Sequence, residues 1–488
     1  MTEYNRALWR AHAASAYRLP IGSGGSVMAT TQDILARIES NFPAHQARWL
    51  DLLRIPSISA QPAHAADCRA AAEFLRADLA GIGFSASLRE TPGHPIVLGH
   101  HPGPGGNAPH LLFYGHYDVQ PAEPLELWVT PPFEPTLVHG PRGERVVARG
   151  AVDDKGQVAM WLAALHAWVE ETGSLPVQVT VLIEGEEEVG SLNLEPFLKA
   201  HRPELRADVA VISDTNMWDI GTPAITTSLR GLVYMHVLLK AASRDLHSGM
   251  YGGSALNPIN ALTAALGRLH DAAGRVTLPG FYDGVAEVPA AQAAQWATLG
   301  FDEASFLGDI GLARPAGEAG HGGLERLWAR PTCDINGIWG GYQGPGAKTV
   351  IAAEAGAKVS FRLVPGQKPD AIVASFRRFM EDNVPADAKL EISGSGTPAF
   401  AVKSDSPYIS AATASLTAEY GRAPVLIGAG GSIPVVGSFA RVLDIDSLLM
   451  GFGLDDDQIH GPNEKFELAC FRHGTRSHAR LLGALAAA

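Results

Sequence analysis

Leu111-Leu112-Phe113-Tyr114-Gly115-His116-Tyr117-Asp118 is an apolar run that stops abruptly at a glycine, a histidine and an acid. Four apolar residues with no polar one between them suit a strand covered on both faces. The pattern returns three times. The run 177–183 leads into Glu184-Gly185-Glu186-Glu187-Glu188, and 207–212 leads into Ser213-Asp214. The run 448–452 leads into Asp455-Asp456-Asp457 and then His460. Helical periodicity, as over 157–171, lies between such runs. Strands alternating with helices predict an α/β unit with a mainly parallel sheet. In such sheets ligands bind beyond the carboxyl ends of the strands, where these acids and histidines fall.

Five of these residues have the chemistry of metal ligands: His116, Asp153, Glu188, Asp214 and His460. Imidazole and carboxylate together suit zinc, with manganese or cobalt also accommodated. Two divalent ions are expected. Three carboxylates and one bridging hydroxide would balance them, which makes burial of the charge tolerable. One carboxylate must bridge, and Asp153 is assigned that role. Such a pair of ions can acidify a shared water and polarise a carbonyl. Glu187, beside a ligand but not needed as one, suits the general base. Asp118, two residues after His116, suits the acceptor that fixes the imidazole tautomer. Each residue also has a plainer reading. Asp153 and Asp154 could cap the following helix, the glutamates could line a solvated loop, and Asp118 could make a local turn. The argument for chemistry is that the clusters occur together at strand ends.

These stretches carry a resemblance. Gly115-His116-Tyr117-Asp118-Val119-Gln120-Pro121, Arg149-Gly150-Ala151-Val152-Asp153-Asp154-Lys155-Gly156 and Glu184-Gly185-Glu186-Glu187-Glu188-Val189-Gly190-Ser191 resemble M20 metallopeptidase signatures. So do Asp245-Leu246-His247-Ser248-Gly249, Arg362-Leu363-Val364-Pro365 and Gly430-Gly431-Ser432-Ile433-Pro434. Their order runs through nearly all of the chain after about Ile34, and the cytosolic dipeptidase and carnosinase-like branch is the most similar. The resemblance implies a discontinuous zinc-exopeptidase-type catalytic domain with an inserted ferredoxin-like α+β lid that also dimerises. It implies one ion on His116 and Asp214, a second on Glu188 and His460, and a cis peptide between Asp153 and Asp154. It also implies that His247 and Thr349 reach the site of a partner subunit, His247 to stabilise the oxyanion, and that Arg362, with Ser432 nearby, holds a substrate carboxylate. Without the resemblance, His247 would read as a turn residue and Arg362 as a surface strand residue. Ala429 stands where that branch often carries an acid, which leaves the substrate range open.

The domain reading follows. Residues 1–28 form an N-terminal extension, 29–228 the first part of the catalytic domain, 229–397 the lid and 398–488 the second part. Within the lid, 232–239, 358–364 and 389–392 read as strands, and 258–270 and 369–383 as helices, in the manner of a split β-α-β arrangement. The stretch 278–342 is loop-rich and yields no fold. The first 27 residues lack the apolar middle of a signal peptide, and Met28 is an alternative start just before a helix.

Composition bounds the partners. A length of 488 residues favours two domains. A net charge of -13 argues against nucleic acid. No apolar run reaches the length of a membrane span. Cys68, Cys333 and Cys470 are widely spaced, which fits a reducing cytoplasm. There is no G-x-S-x-G elbow and no H-E-x-x-H. The expected function is a dinuclear metallohydrolase that cleaves amide bonds of dipeptides or small peptide-like substrates, through a water between the ions activated by Glu187. The alternative is an N-acyl-amino-acid deacylase with the same metal site. An inactive metal-stabilised binding protein is disfavoured by the complete ligand set.

Overall fold

The computed structural model describes residues 30–402, 406–430 and 433–487. The extension 1–28 and Ser432 lie outside the described residues. The first helix is Thr31–Leu53, just beyond Met28. Thr30 and Asp33 form a reciprocal capping box at its start, which satisfies two otherwise orphaned backbone donors. Ile34, Ile38, Phe42, His45, Trp49 and Leu53 follow at close to helical spacing, and all are buried.

Among the described residues the large sheet has nine strands. Along it lie Ser85–Arg89, Ile96–His101, Gln178–Glu184, His110–His116, Val209–Ile212, Asp446–Leu449, Ala224–Leu229 and Phe400–Ala401, with Val425–Ala429 also paired to Ala224–Leu229. Its four central strands, from Gln178–Glu184 to Asp446–Leu449, are parallel. The sheet is less parallel than the sequence implies. Ser85–Arg89 and Ile96–His101 are joined by a short turn, which permits only an antiparallel pair, and Ile96–His101 then runs antiparallel to Gln178–Glu184. In the centre, His116 pairs with Glu184, and Tyr114 with Ile212. The chain therefore leaves all four strands at one edge.

Helix Lys155–Thr172 is the centre of the main core. Every residue from Lys155 to Trp168 is buried, between Thr31–Leu53 and Leu468–Ala486. Two glycines permit its close packing, Gly156 against the loop before it and Gly115 on the sheet. A Cβ on Gly156 would stand 2.0 Å from the Ala151 carbonyl oxygen, and one on Gly115 would stand 2.6 Å from Val158 Cγ2.

The chain leaves the large sheet after Leu229 and pairs with it again at Phe400. Between these points is a four-stranded antiparallel sheet in the order Thr332–Gly340, Glu354–Leu363, Gly231–Lys240, Lys389–Thr397. Helices Pro258–Leu266 and Pro369–Asn383 cover one face, and Val233, Met235, Leu262, Phe361 and Phe376 fill the core between. In chain order this is strand-helix-strand-strand-helix-strand, the split β-α-β arrangement. Helix Pro258–Leu266 stops short of the expected 270, where Gly267 caps it.

The stretch 278–342 is more ordered than its sequence suggests. It contains short helices Ala290–Ala297, Glu303–Gly308 and Gly323–Trp328, and Thr332–Gly340 is an edge strand of the lid sheet. A register shift between Ile335 and Gly337 breaks the alternation that would have marked this strand. Trp296 donates its indole N–H to Leu426 O at 2.8 Å, and Leu426 N–H donates to Gln295 Oε1 at 2.9 Å, so this segment covers the outer edge of Val425–Ala429.

Among the described residues no helix is long and apolar enough to cross a membrane. All three cysteines are buried and unpaired.

Candidate metal centre

His116 ends its strand, Glu187 and Glu188 form the turn after Gln178–Glu184, and Asp214 follows Val209–Ile212 by two residues. Asp153 immediately precedes the central helix pair of Asp154 and Lys155, and His460 lies on the loop that follows Asp446–Leu449. The parallel register thus delivers residues far apart in the chain to one edge.

They meet as two groups that share one residue. His116, Asp153 and Asp214 bring one nitrogen and two carboxylate oxygens within 4.8 Å of one another, and Asp153, Glu188 and His460 do the same. His116 Nε2 lies 3.1 Å from Asp153 Oδ1 and 4.0 Å from Asp214 Oδ2. His460 Nε2 lies 3.0 Å from Asp153 Oδ2 and 3.2 Å from Glu188 Oε2. Asp153 therefore offers one oxygen to each group. The donor set fits divalent ions. His116 Nε2 is buried facing carboxylate oxygens of Asp153 and Asp214 and makes no well-aligned hydrogen bond to either, which is costly unless something else satisfies it, and the two groups together offer the hard oxygen and borderline nitrogen donors such ions take.

Supporting contacts fix the donors. His116 Nδ1 lies 3.1 Å from the Asp118 carbonyl oxygen and 3.4 Å from Asp118 Oδ1. The backbone oxygen of Asp118 is thus the nearer acceptor. Its carboxylate also binds Ser59 Oγ at 2.6 Å and the N–H groups of Glu187 and Glu188 at 3.3 and 3.1 Å. Gln120 Nε2 donates to Glu188 Oε2 at 2.8 Å. Glu186 is buried and accepts from Asn193 Nδ2 at 2.9 Å, so the glutamate run is not a solvated loop. Asp154 makes no side-chain cap on its helix; its Oδ2 accepts the His116 N–H at 3.0 Å instead. The Asp153–Asp154 peptide is cis. Burial pushes the Glu187 carboxyl up to about 7, against the attraction of His116.

Two participants have no role in the sequence reading. Arg149 and Glu464 form a buried ion pair at 2.7 Å, with Glu464 also accepting from the Asp153 N–H at 3.1 Å. Glu464 lies four residues after His460 and Arg149 four before Asp153, but neither belongs to the two ligand groups, and only the fold brings them together.

The lid residues stand apart. His247 is exposed on the two-residue strand Leu246–His247, which pairs with Val350–Ile351, and exposed Thr349 adjoins it through the Ser248 N–H bond to Thr349 O at 3.1 Å. His247 Nδ1 accepts from Gly249 N–H at 3.0 Å. Arg362 is half-buried opposite Thr332 on the lid sheet. Burial, and then the neighbouring Arg362 charge, hold Arg230 down to about 10. Among the described residues no hydrogen bond or ion pair joins His247, Thr349 or Arg362 to the His116–His460 cluster within one chain. Ala429 ends its strand half-buried.

A strand-edge cluster of paired histidine and carboxylate groups in an α/β chain is the architecture of a metallohydrolase. The profile of Peptidase family M20/M25/M40 matches residues 112–484. The chain belongs to this family and is a metallopeptidase. It is 31% identical over 471 residues to a Cys-Gly metallodipeptidase of Candida albicans, covering 91% of this chain and 95% of that one. It is 33% identical over 377 residues to the Beta-Ala-His dipeptidase of Homo sapiens, covering 76% and 73%. A solved M20 family metallo-carboxypeptidase from Sulfolobus solfataricus superposes with a TM-score of 0.78 at 29% identity, covering 91% and 99%.

Proposed function

We propose that the chain is a dinuclear metallodipeptidase that hydrolyses unblocked dipeptides. The observation that carries this reading is Asp153, whose two oxygens face two separate ligand groups. Two divalent ions held there, zinc or alternatively manganese or cobalt, would acidify a shared water and polarise the scissile carbonyl. The chain's own residues do the rest. Glu187 takes the water's proton and passes it to the leaving amine. Asp118 orients the His116 ring so that Nε2 faces Asp153.

The lid would bind the rest of the substrate. Arg362, with Ser432, pairs with the substrate's terminal carboxylate, a match for a planar guanidinium. Exposed His247 and Thr349 are presented to a second copy of the chain, so a homodimer through the lid completes each site. The similar proteins are named for Cys-Gly and Beta-Ala-His dipeptides, and this supports peptides over N-acyl amino acids. Three buried, unpaired cysteines fit a reducing cytoplasm.

The test is a substrate panel after chelation and reloading with zinc, manganese or cobalt. Unblocked dipeptides should turn over, while their C-terminal amides and N-acyl amino acids should react weakly. A wide margin in favour of N-acyl amino acids would replace this reading with the deacylase.

A further inference from the structure

Glu464 is fully buried, and each of its acceptor positions is used. Oε1 takes the N–H groups of Val152 and Asp153 at 3.0 and 3.1 Å. Oε2 takes the Gly150 N–H at 2.9 Å and Arg149 Nη1 at 2.7 Å. The carboxylate thus grips the segment that presents Asp153. Arg149, itself 1% exposed, spends its other terminal nitrogen elsewhere. Nη2 donates to His460 O at 3.1 Å and to Pro121 O at 3.2 Å.

The two members of one ion pair therefore hold the backbones of two residues of one ligand group. Glu464 fixes Asp153, and Arg149 fixes His460. His460 has a positive φ of 63° and a half-exposed side chain, so little else packs its ring in place. His116 and Asp214 are carried by strand ends in the parallel core and receive no contact from the pair.

We infer that Arg149 and Glu464 are positioning residues: Glu464 holds the shared Asp153, and Arg149 holds His460 and so sets the affinity of the one ion that the Asp153–Glu188–His460 group would take. This rests on the two-ion reading above. The asymmetry is its particular content. Loosening Arg149 frees His460 and Pro121, while His116 and Asp214 stay at their strand ends and Asp153 keeps its backbone N–H bond to Glu464. A lysine keeps the charge, yet its single ammonium cannot span Glu464 Oε2 and the His460 carbonyl as a guanidinium does.

The experiment is competition titration of the full chain with cobalt against a chromophoric chelator, with the cobalt absorption bands recorded and activity not used. Wild type, Arg149→Lys and Glu464→Gln are compared, and thermal melting of the metal-free proteins serves as the folding control. Arg149→Met combined with Glu464→Gln is the further variant. It removes both charges and keeps the acceptor facing Val152 and Asp153, so no unpaired buried charge opposes folding.

Wild type should bind two ions. In Arg149→Lys one ion should weaken about 10- to 100-fold, the other should stay within about threefold, and the absorption of the weaker ion should change, whereas Glu464→Gln and the double variant, which disturb the shared Asp153, should weaken both. Equal weakening of both ions in Arg149→Lys, or unchanged affinity for both ions in variants that fold, would overturn the assignment. A wild type that binds only one ion would instead refute the two-ion reading itself.

Discussion

Asp78 and His166 form a largely buried ion pair, 3.1 Å apart, that ties helix Ala65–Gly81 to the central helix. Burial works against both charges, but their mutual attraction outweighs it, lowering the Asp78 pKa and raising that of His166. Arg48, at 2.9 Å from Asp78, adds to the first effect, and Glu170 to the second, while Arg48 opposes the charge on His166. Asp78 contributes above the usual carboxylate range and loses its effect as pH falls through its lowered value. His166 contributes fully below the usual imidazole range and loses its effect as pH rises through its raised value. His166→Gln should therefore destabilise by about 3 kcal/mol near pH 6 and by distinctly less near pH 9, measured by urea unfolding at each pH. Equal losses at both pH values would show that the pair is not ionised in the folded protein.

Glu187→Gln separates binding from turnover. The amide keeps the size and the backbone N–H bond to Asp118 but cannot accept the water's proton. Metal content should be unchanged and kcat should fall by about a hundred- to ten-thousandfold. Near wild-type kcat would place the general base elsewhere.

Mixed subunits test the role of His247. His247→Ala and Glu187→Gln should each be inactive alone. If His247 serves its partner, hybrids formed by subunit exchange contain one site with both wild-type residues and should regain part of the activity. Exchange proven by differential labelling, without recovery, would assign His247 to its own subunit or to no catalytic role.

Arg362→Ala probes the carboxylate end of the substrate. Losing a charged hydrogen-bond partner should lower kcat/KM for unblocked dipeptides by about 2–5 kcal/mol, mostly through KM, and should shrink the preference over C-terminal amides. An unchanged preference would leave Arg362 as a structural strand residue.

The central strands were legible from their apolar runs, whereas the five residues brought together at one edge were legible only through their joint occurrence and the family resemblance, since each alone has a plainer reading. Asp153 could be singled out as the shared carboxylate, and its two oxygens do face the two groups. The antiparallel edge was not legible, since a buried run such as Ile96–His101 looks alike in either direction. Thr332–Gly340 was hidden because the register shift between Ile335 and Gly337 breaks the alternation that Cys333, Asp334 and Ile335 begin, and because most of this edge strand is exposed. Arg149 and Glu464 escaped assignment for a different reason: their contacts are mostly to backbone, and backbone partners leave no pattern in side-chain spacing.

The central claim is that Asp153 joins two ion sites that work together. Chelator-stripped protein titrated with zinc, while hydrolysis of an unblocked dipeptide is followed, tests it most directly. Activity should be absent without metal and should saturate at about two equivalents per chain. Full activity at one equivalent, or activity that survives complete metal removal, would contradict it.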